Sequence, residues 1–162
     1  MNKIENINIV SLKMIRDKTL SFNNISSPDV VYDICDEILK DCDKENMIVI
    51  CLDTQNKPTN INIAGVGSIS SAIVEPREIF KTAILSNSKS IIIAHNHPSG
   101  KVNPSHADIF LTKRLIKCGT LLGIKILDHI IVGDKEYFSF KENCTCDFNI
   151  ADKVRNFIEE ED

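Results

Sequence analysis

Strand-length apolar runs alternate with helix-length amphipathic stretches along this chain, and that order confines it to a layered fold of helices on a sheet. Met47–Leu52, Ser90–His95 and Lys125–Val132 have the length and β-branched content of buried strands. Thr59–Val66 returns after the turn Thr54-Gln55-Asn56-Lys57-Pro58, with Ile61 and Ile63 expected on one face, and Tyr137–Phe140 completes a hairpin around Gly133-Asp134. Three helices fall between them. Ser26-Ser27-Pro28-Asp29 opens the first, which carries Val31, Ile34, Ile38 and Leu39 on its apolar face and ends near Cys42. Pro76-Arg77-Glu78 opens the second, with Ile79, Phe80, Ala83 and Ile84 expected to face inward. The third runs from about Ser105 to Leu122, with Ile109, Leu111, Leu115, Ile116 and Leu122 as its apolar residues and Gly123 as its stop. The order predicts a mixed α/β (α+β) sandwich, a central mixed β-sheet flanked by helices, rather than a doubly wound parallel sheet.

The 162 residues suit one domain, bounded at 24–146. Residues 1–23 read as an N-terminal extension, with an early or edge strand over Ile7–Phe22. Residues 147–162 read as an acidic tail in which Val154, Phe157 and Ile158 suit a short helix. A net charge of −4 gives no electrostatic reason to hold nucleic acid, and Lys113, Arg114 and Lys117 read as a solvated helix face. No apolar run approaches the length of a membrane span or a signal peptide core, so a cytoplasmic protein is expected. Cys35, Cys42, Cys51 and Cys118 sit in apolar or helical patterns and read as small hydrophobes. Cys144 and Cys146 are spaced too tightly for a zinc knuckle, so reduced thiols are expected throughout.

The chemistry concentrates after Ile91-Ile92-Ile93-Ala94. His95 and His97 stand two apart at a strand end, and residues i and i+2 of an extended chain point the same way, so both imidazoles can reach one ion. Pro98 holds His97 extended, while Gly100 and Pro104 turn the chain back. Ser105 then caps the third helix and Asp108 lies in its first turn, where a side chain leans toward the preceding loop and the two histidines. Two histidines and a carboxylate leave a fourth position for water, the pattern of a catalytic rather than a structural zinc site. His106 points about 200° from Asp108 around a helix and reads as a solvent-exposed neighbour. His129, beside Asp128, reads as a hydrogen-bonded histidine of the final hairpin, with a role beside the metal as the alternative.

The segment His95-x-His97-Pro98-x6-Ser105-x2-Asp108 resembles the JAMM motif of MPN-domain metalloproteases. Ile93-Ala94-His95-Asn96-His97-Pro98-Ser99-Gly100, Pro104-Ser105 and Leu127-Asp128-His129 look like its RadC-like branch. The match runs from about Ile25 to Phe140, in a short form without the N-terminal helical region usual in that branch. The resemblance implies an MPN (cytidine-deaminase-like) fold and a zinc-dependent hydrolase of amide bonds. It implies one zinc held by His95, His97 and Asp108, with Ser105 beside the water or developing oxyanion. It also implies an upstream glutamate as general base, for which Glu45 stands in the corresponding place and Glu78 is the rival. The substrate would be a peptide or protein, and an exposed sheet edge would permit a homodimer. A metal-holding scaffold without turnover and a DNA-repair role suggested by the RadC name are the alternatives.

Overall fold

The computed structural model describes residues 11–20, 25–67, 74–143 and 145–148. Among them the chain forms α1 (Pro28–Leu39), β1 (Asn46–Leu52), β2 (Pro58–Val66), α2 (Pro76–Leu85), β3 (Ser90–Asn96), α3 (His106–Leu122), β4 (Lys125–Val132) and β5 (Tyr137–Ser139). The five strands make one mixed sheet in the order β2-β1-β3-β4-β5. Only β3 and β4 run parallel, because α3 carries the chain back across the sheet between them. β1 pairs antiparallel with β2 and β3, and β4 with β5.

Strand alternation divides the interior into two layers. Met47, Val49, Cys51, Ile91 and Ile93 face α2 and α3, where they meet Ile79, Phe80, Ala83, Leu111, Leu115 and Ile116. Ile48, Ile50, Leu52, Ile92 and Ala94 face α1 and its Val31, Ile34, Cys35 and Leu39. β1 and β3 are buried along their whole lengths, as central strands covered on both faces must be.

β4 departs from simple alternation. Its register against β3 shifts between Ile91 and Ile92, so that Ile126 pairs with Ile91 but Asp128 pairs with Ile92. A slip of one residue exchanges the two faces of everything beyond it. Ile126 and Ile131 therefore share the α2–α3 layer, whereas Ile130 and Val132 join the α1 layer. Unbroken alternation would have put Ile126 and Ile130 together and turned His129 toward α1. The slip turns it toward His95.

Some surface expectations required correction. Ile84 is 53 % exposed, because each four-residue step along a helix drifts about 40° and carries it beyond the stripe of Phe80. Leu122, in the last turn of α3, is 49 % exposed. Ile61 and Ile63 stand opposite Ile50 and Ile48 as expected, but only Ile61 reaches the core. Residues 11–20 form no strand, and Ile15 there is exposed; the rest of the stretch Ile7–Phe22 expected as a strand lies largely outside the described residues. The short helix expected around Val154, Phe157 and Ile158 also lies outside them, as does Cys144. Cys35, Cys42, Cys51, Cys118 and Cys146 are free thiols. No helix among the described residues is long and apolar enough to cross a membrane.

α3 begins and ends as its sequence dictates. Ser105 and Asp108 form a reciprocal capping box, and Gly123 adopts φ 70°, the left-handed conformation that glycine enters without a Cβ clash. The start of α3 thereby meets the carboxyl ends of the parallel pair β3 and β4, the edge where open α/β sheets place their ligands.

Candidate metal centre

β3 delivers His95 and His97 from its last turn of pleat, and α3 brings Asp108 back to them. His95 is fully buried, Asp108 almost so, and the His97 side chain is 14 % exposed. The ligand atoms of the three residues lie within 4.8 Å of one another. His95 Nε2 is 3.0 Å from His97 Nε2 and 3.4 Å from Asp108 Oδ1. Ligands on a tetrahedral zinc at about 2.0–2.1 Å stand about 3.3 Å apart. The spacing thus fits one small divalent ion.

The loop between them is held on both sides. His97 Nδ1 donates to the Lys101 carbonyl at 2.7 Å, which leaves Nε2 of the neutral ring bare. The His97 amide donates to the carbonyl of Val132 at the end of β4, and the Asp134 amide donates to that of Gly100. A Cβ on Gly133 would strike the Gly100 carbonyl oxygen, so the β4–β5 turn lies directly against the histidine loop.

On Asp108, Oδ2 accepts from both the amide and the hydroxyl of Ser105, at 2.7 and 2.6 Å, and Oδ1 remains turned to His95. The Ser105 hydroxyl lies on the exposed rim. If it turned away to a substrate, Oδ2 would keep its bond to the amide. The capping box and a ligand role for Asp108 are therefore compatible.

Glu45 is half-buried at the last position before β1. The backbone on either side of it is gripped by Asn96, the residue between the two histidines. Asn96 Oδ1 accepts from the Asn46 amide at 2.8 Å, and its Nδ2 donates to the Lys44 carbonyl at 3.0 Å. The Asn46 side chain donates to the same carbonyl, and the Glu45 carbonyl accepts from Gly67. Glu78, by contrast, is bound to Lys81 and Arg77 on the outer side of α2. His106 is solvent-exposed, as expected. Sequence reasoning overlooked Asn96, although its place between the histidines marked it.

A second layer lies beneath the ligands. His129 Nε2 stands 2.8 Å from His95 Nδ1, and His129 Nδ1 stands 2.6 Å from Thr112 Oγ1. The His129 ring stacks on Phe140 with centroids 4.7 Å apart and planes at 9°. Asp128 is spent elsewhere: it accepts from the Ser139 hydroxyl and from the amides of His129 and Lys141.

Burial pushes the His95 pKa down to about 4 against the opposing pull of Asp108, and burial with neighbouring His95 drives His129 well below its usual value. The Asp108 carboxylate beside His97 raises that ring despite its partial burial, and the Lys101 carbonyl and the charge of Glu45 add to the rise. Burial opposes ionisation of Asp108, but His97, His95 and Ser105 together hold its carboxyl well below the usual range. Below about pH 6.5 the unfolded chain takes up protons that folded His95 and His129 refuse, so their contribution to stability is complete above that pH and lost toward pH 4. His97, raised beside Asp108, binds its proton more readily in the folded than in the unfolded chain and so offsets part of that loss near the top of the window. Each refused proton costs about 1.4 kcal/mol per pH unit. Urea unfolding of the metal-free protein is accordingly expected to lose about 2–4 kcal/mol between about pH 6.5 and 5; a flat profile would contradict buried neutral histidines.

A mixed sheet with α1 on one face and α2 and α3 on the other, carrying a His-His-Asp cradle where β3 hands over to α3, is the arrangement of a JAB/MPN domain. The chain belongs to the RadC-like JAB domain family, whose sequence model matches residues 25–145. It is 46 % identical over 118 residues to the UPF0758 protein of Methanosarcina mazei, covering 73 % of this chain and 52 % of that protein. It is 51 % identical over 100 residues to the UPF0758 protein of Clostridioides difficile, covering 62 % and 43 %. With the UPF0758 protein of Clostridium acetobutylicum it shares 44 % over 125 residues, covering 77 % and 55 %. The chain spans about half the length of these relatives.

Proposed function

We propose that this chain is a zinc-dependent hydrolase that cleaves an amide bond, peptide or isopeptide, in a peptide or protein substrate, and that it works in the cytoplasm. The observation that carries the reading is the cradle itself. It offers two imidazole nitrogens and a carboxylate with contacts of 3.0, 3.4 and 3.7 Å between them, and among the described residues it holds three ligands rather than four. A zinc ion held there would lower the pKa of a water to about 7 and polarise a substrate carbonyl.

The chain's own residues supply the rest. His95, His97 and Asp108 fix the ion. Glu45 takes a proton from the attacking water and then delivers it to the leaving amine, so that one carboxylate serves as base and acid in turn. Asn96 holds the backbone around Glu45 while its two neighbours in sequence hold the ion, which ties base and ligands to a single strand end. Ser105 donates its hydroxyl to the developing oxyanion, a group of the kind typically worth 10²–10³ in rate.

Incubation of an unbiased peptide mixture with the zinc-loaded protein, and with the same protein after chelation, tests the proposal. New peptide termini are expected in the loaded sample, absent after chelation and restored by zinc. Identical peptide profiles in all three samples would overturn it.

A further inference from the structure

We propose that residues 11–20 form an arm that adds as an edge strand to β2 of a second copy of this chain, in a reciprocal exchange that makes a dimer. Two surfaces of the chain, one on the arm and one on the sheet edge, have complementary chemistry and no partner among the described residues.

Residues 11–20 take up neither helix nor strand, and among the described residues no hydrogen bond joins them to the fold. Leu12 there is 75 % exposed, Ile15 is 85 % exposed, and Met14 is exposed between them. Apolar residues scattered singly over a surface are ordinary, but three within four positions of an unpaired backbone mark a contact site. Leu12, Met14, Arg16 and Lys18 stand two apart, so an extended arm presents all four on one face.

β2 is the longer open edge of the sheet, paired with β1 alone among the described residues. The free N–H and C=O groups of an edge recruit further strands unless the edge is short, charged or covered. β2 has a proline at its start and an irregularity near each end, but no charged side chain to repel a strand. Its register shift puts Ile63 opposite Ile48 and Val66 opposite Asn46, with Ala64 as the extra residue between. Ile48 faces α1, and Asn46 does too, since it alternates with Met47 of the other layer. Ile63 and Val66 thus share the α1 face, three positions apart, yet they lie beyond the cover of α1 at 51 % and 63 % exposure. They form the apolar strip on which Leu12 and Met14 of an added strand would rest.

Charge favours the same pairing. The arm carries Lys13, Arg16 and Lys18 against Asp17, whereas α1 carries Asp29, Asp33, Asp36 and Glu37 and no basic residue. Ile38 of α1 and Ile61 of β2 pack in one cluster, so an arm on the α1 side of β2 brings its cations toward an acidic helix. Topology sends the arm to another copy. α1 begins at the opposite edge of the sheet, where Asp29 accepts from the Tyr137 hydroxyl of β5 at 3.1 Å. Four strand spacings, about 19 Å, separate β5 from β2. β5 itself offers only Tyr137–Ser139, too short an edge for the arm. Two copies related by a twofold axis satisfy both surfaces at once, each arm on the other's edge.

Sedimentation equilibrium of the full chain, with Met14→Glu and Ile63→Lys as variants, tests the exchange. The wild type is expected at about twice 18.2 kDa. A wild type of 18.2 kDa across its soluble range would overturn the proposal, whether the arm stays free or folds onto its own edge. Each variant alone is expected at 18.2 kDa with an unchanged circular dichroism spectrum, since both side chains are exposed in the single chain. Mixing the two variants is expected to restore dimers. The arm of the Ile63→Lys protein still fits the edge of the Met14→Glu protein, and the other contact now sets glutamate against lysine. A dimer that survives either substitution, or variants that stay monomeric when mixed, would also overturn the exchange. The measurement needs neither zinc nor turnover, so its failure would leave the metal reading standing.

Discussion

Glu45→Gln is expected to leave zinc binding intact and to lower amide hydrolysis by about 10²–10⁴-fold. Glutamine keeps the length and polarity of the side chain but cannot accept a proton from water or return one to a departing amine. The structure makes the substitution a local one. Asn96 holds the segment through the Lys44 carbonyl and the Asn46 amide, not through the Glu45 side chain, so the chain path beside the histidines survives. Glu45 is half-buried and lies near enough to His97 to help raise its pKa, whereas Glu78 is engaged with Lys81 and Arg77 at the surface of α2. Turnover measured on a peptide cleaved by the wild type, with zinc content assayed on the same sample, checks the expectation. Full turnover by a zinc-loaded Glu45→Gln protein would remove Glu45 from the mechanism.

Asp108→Ala is expected to abolish stoichiometric metal binding and to destabilise the protein by about 0.5–2 kcal/mol. The two effects arise from two roles of one side chain. Asp108 supplies the one carboxylate of the candidate trio, and without it two imidazoles remain. Oδ2 accepts from the amide and hydroxyl of Ser105, and its removal dismantles one half of the α3 capping box. The carboxylate also sits at the positive end of α3, where a negative charge is favoured. Metal content after gel filtration, read beside a denaturant midpoint, separates the two. A folded Asp108→Ala protein that retains a full equivalent of zinc would show that the carboxylate is a cap and not a ligand.

The parts of this fold legible in the sequence are those set by local periodicity. β1 and β3 are continuous apolar runs because both faces are covered, and α3 announces its start with Ser105 and Asp108 and its end with Gly123. The candidate trio was legible for the same reason, since an i, i+2 histidine pair on a strand and a first-turn carboxylate are local facts. The supporting contacts were not. Asn96 meets Asn46 across 50 residues, and His129 meets His95 across 34, pairings that exist only once β1, β3 and β4 lie side by side. A place for His129 beside the histidine pair was legible only as an alternative to a hairpin histidine, because the slip between Ile91 and Ile92 reverses the face that alternation from Ile126 would assign to it. The apolar residues at the ends of α2 and α3, Ile84 and Leu122, misled because helical drift takes the last turn off the buried stripe.

X-ray absorption at the zinc edge on the purified, zinc-reconstituted protein tests the central claim most directly. The account predicts about one zinc per chain in a four-coordinate site with two imidazole nitrogens, one carboxylate oxygen and one exchangeable oxygen that is not from the protein. Failure to retain zinc, a sulfur ligand, or a shell closed by four protein ligands would contradict it.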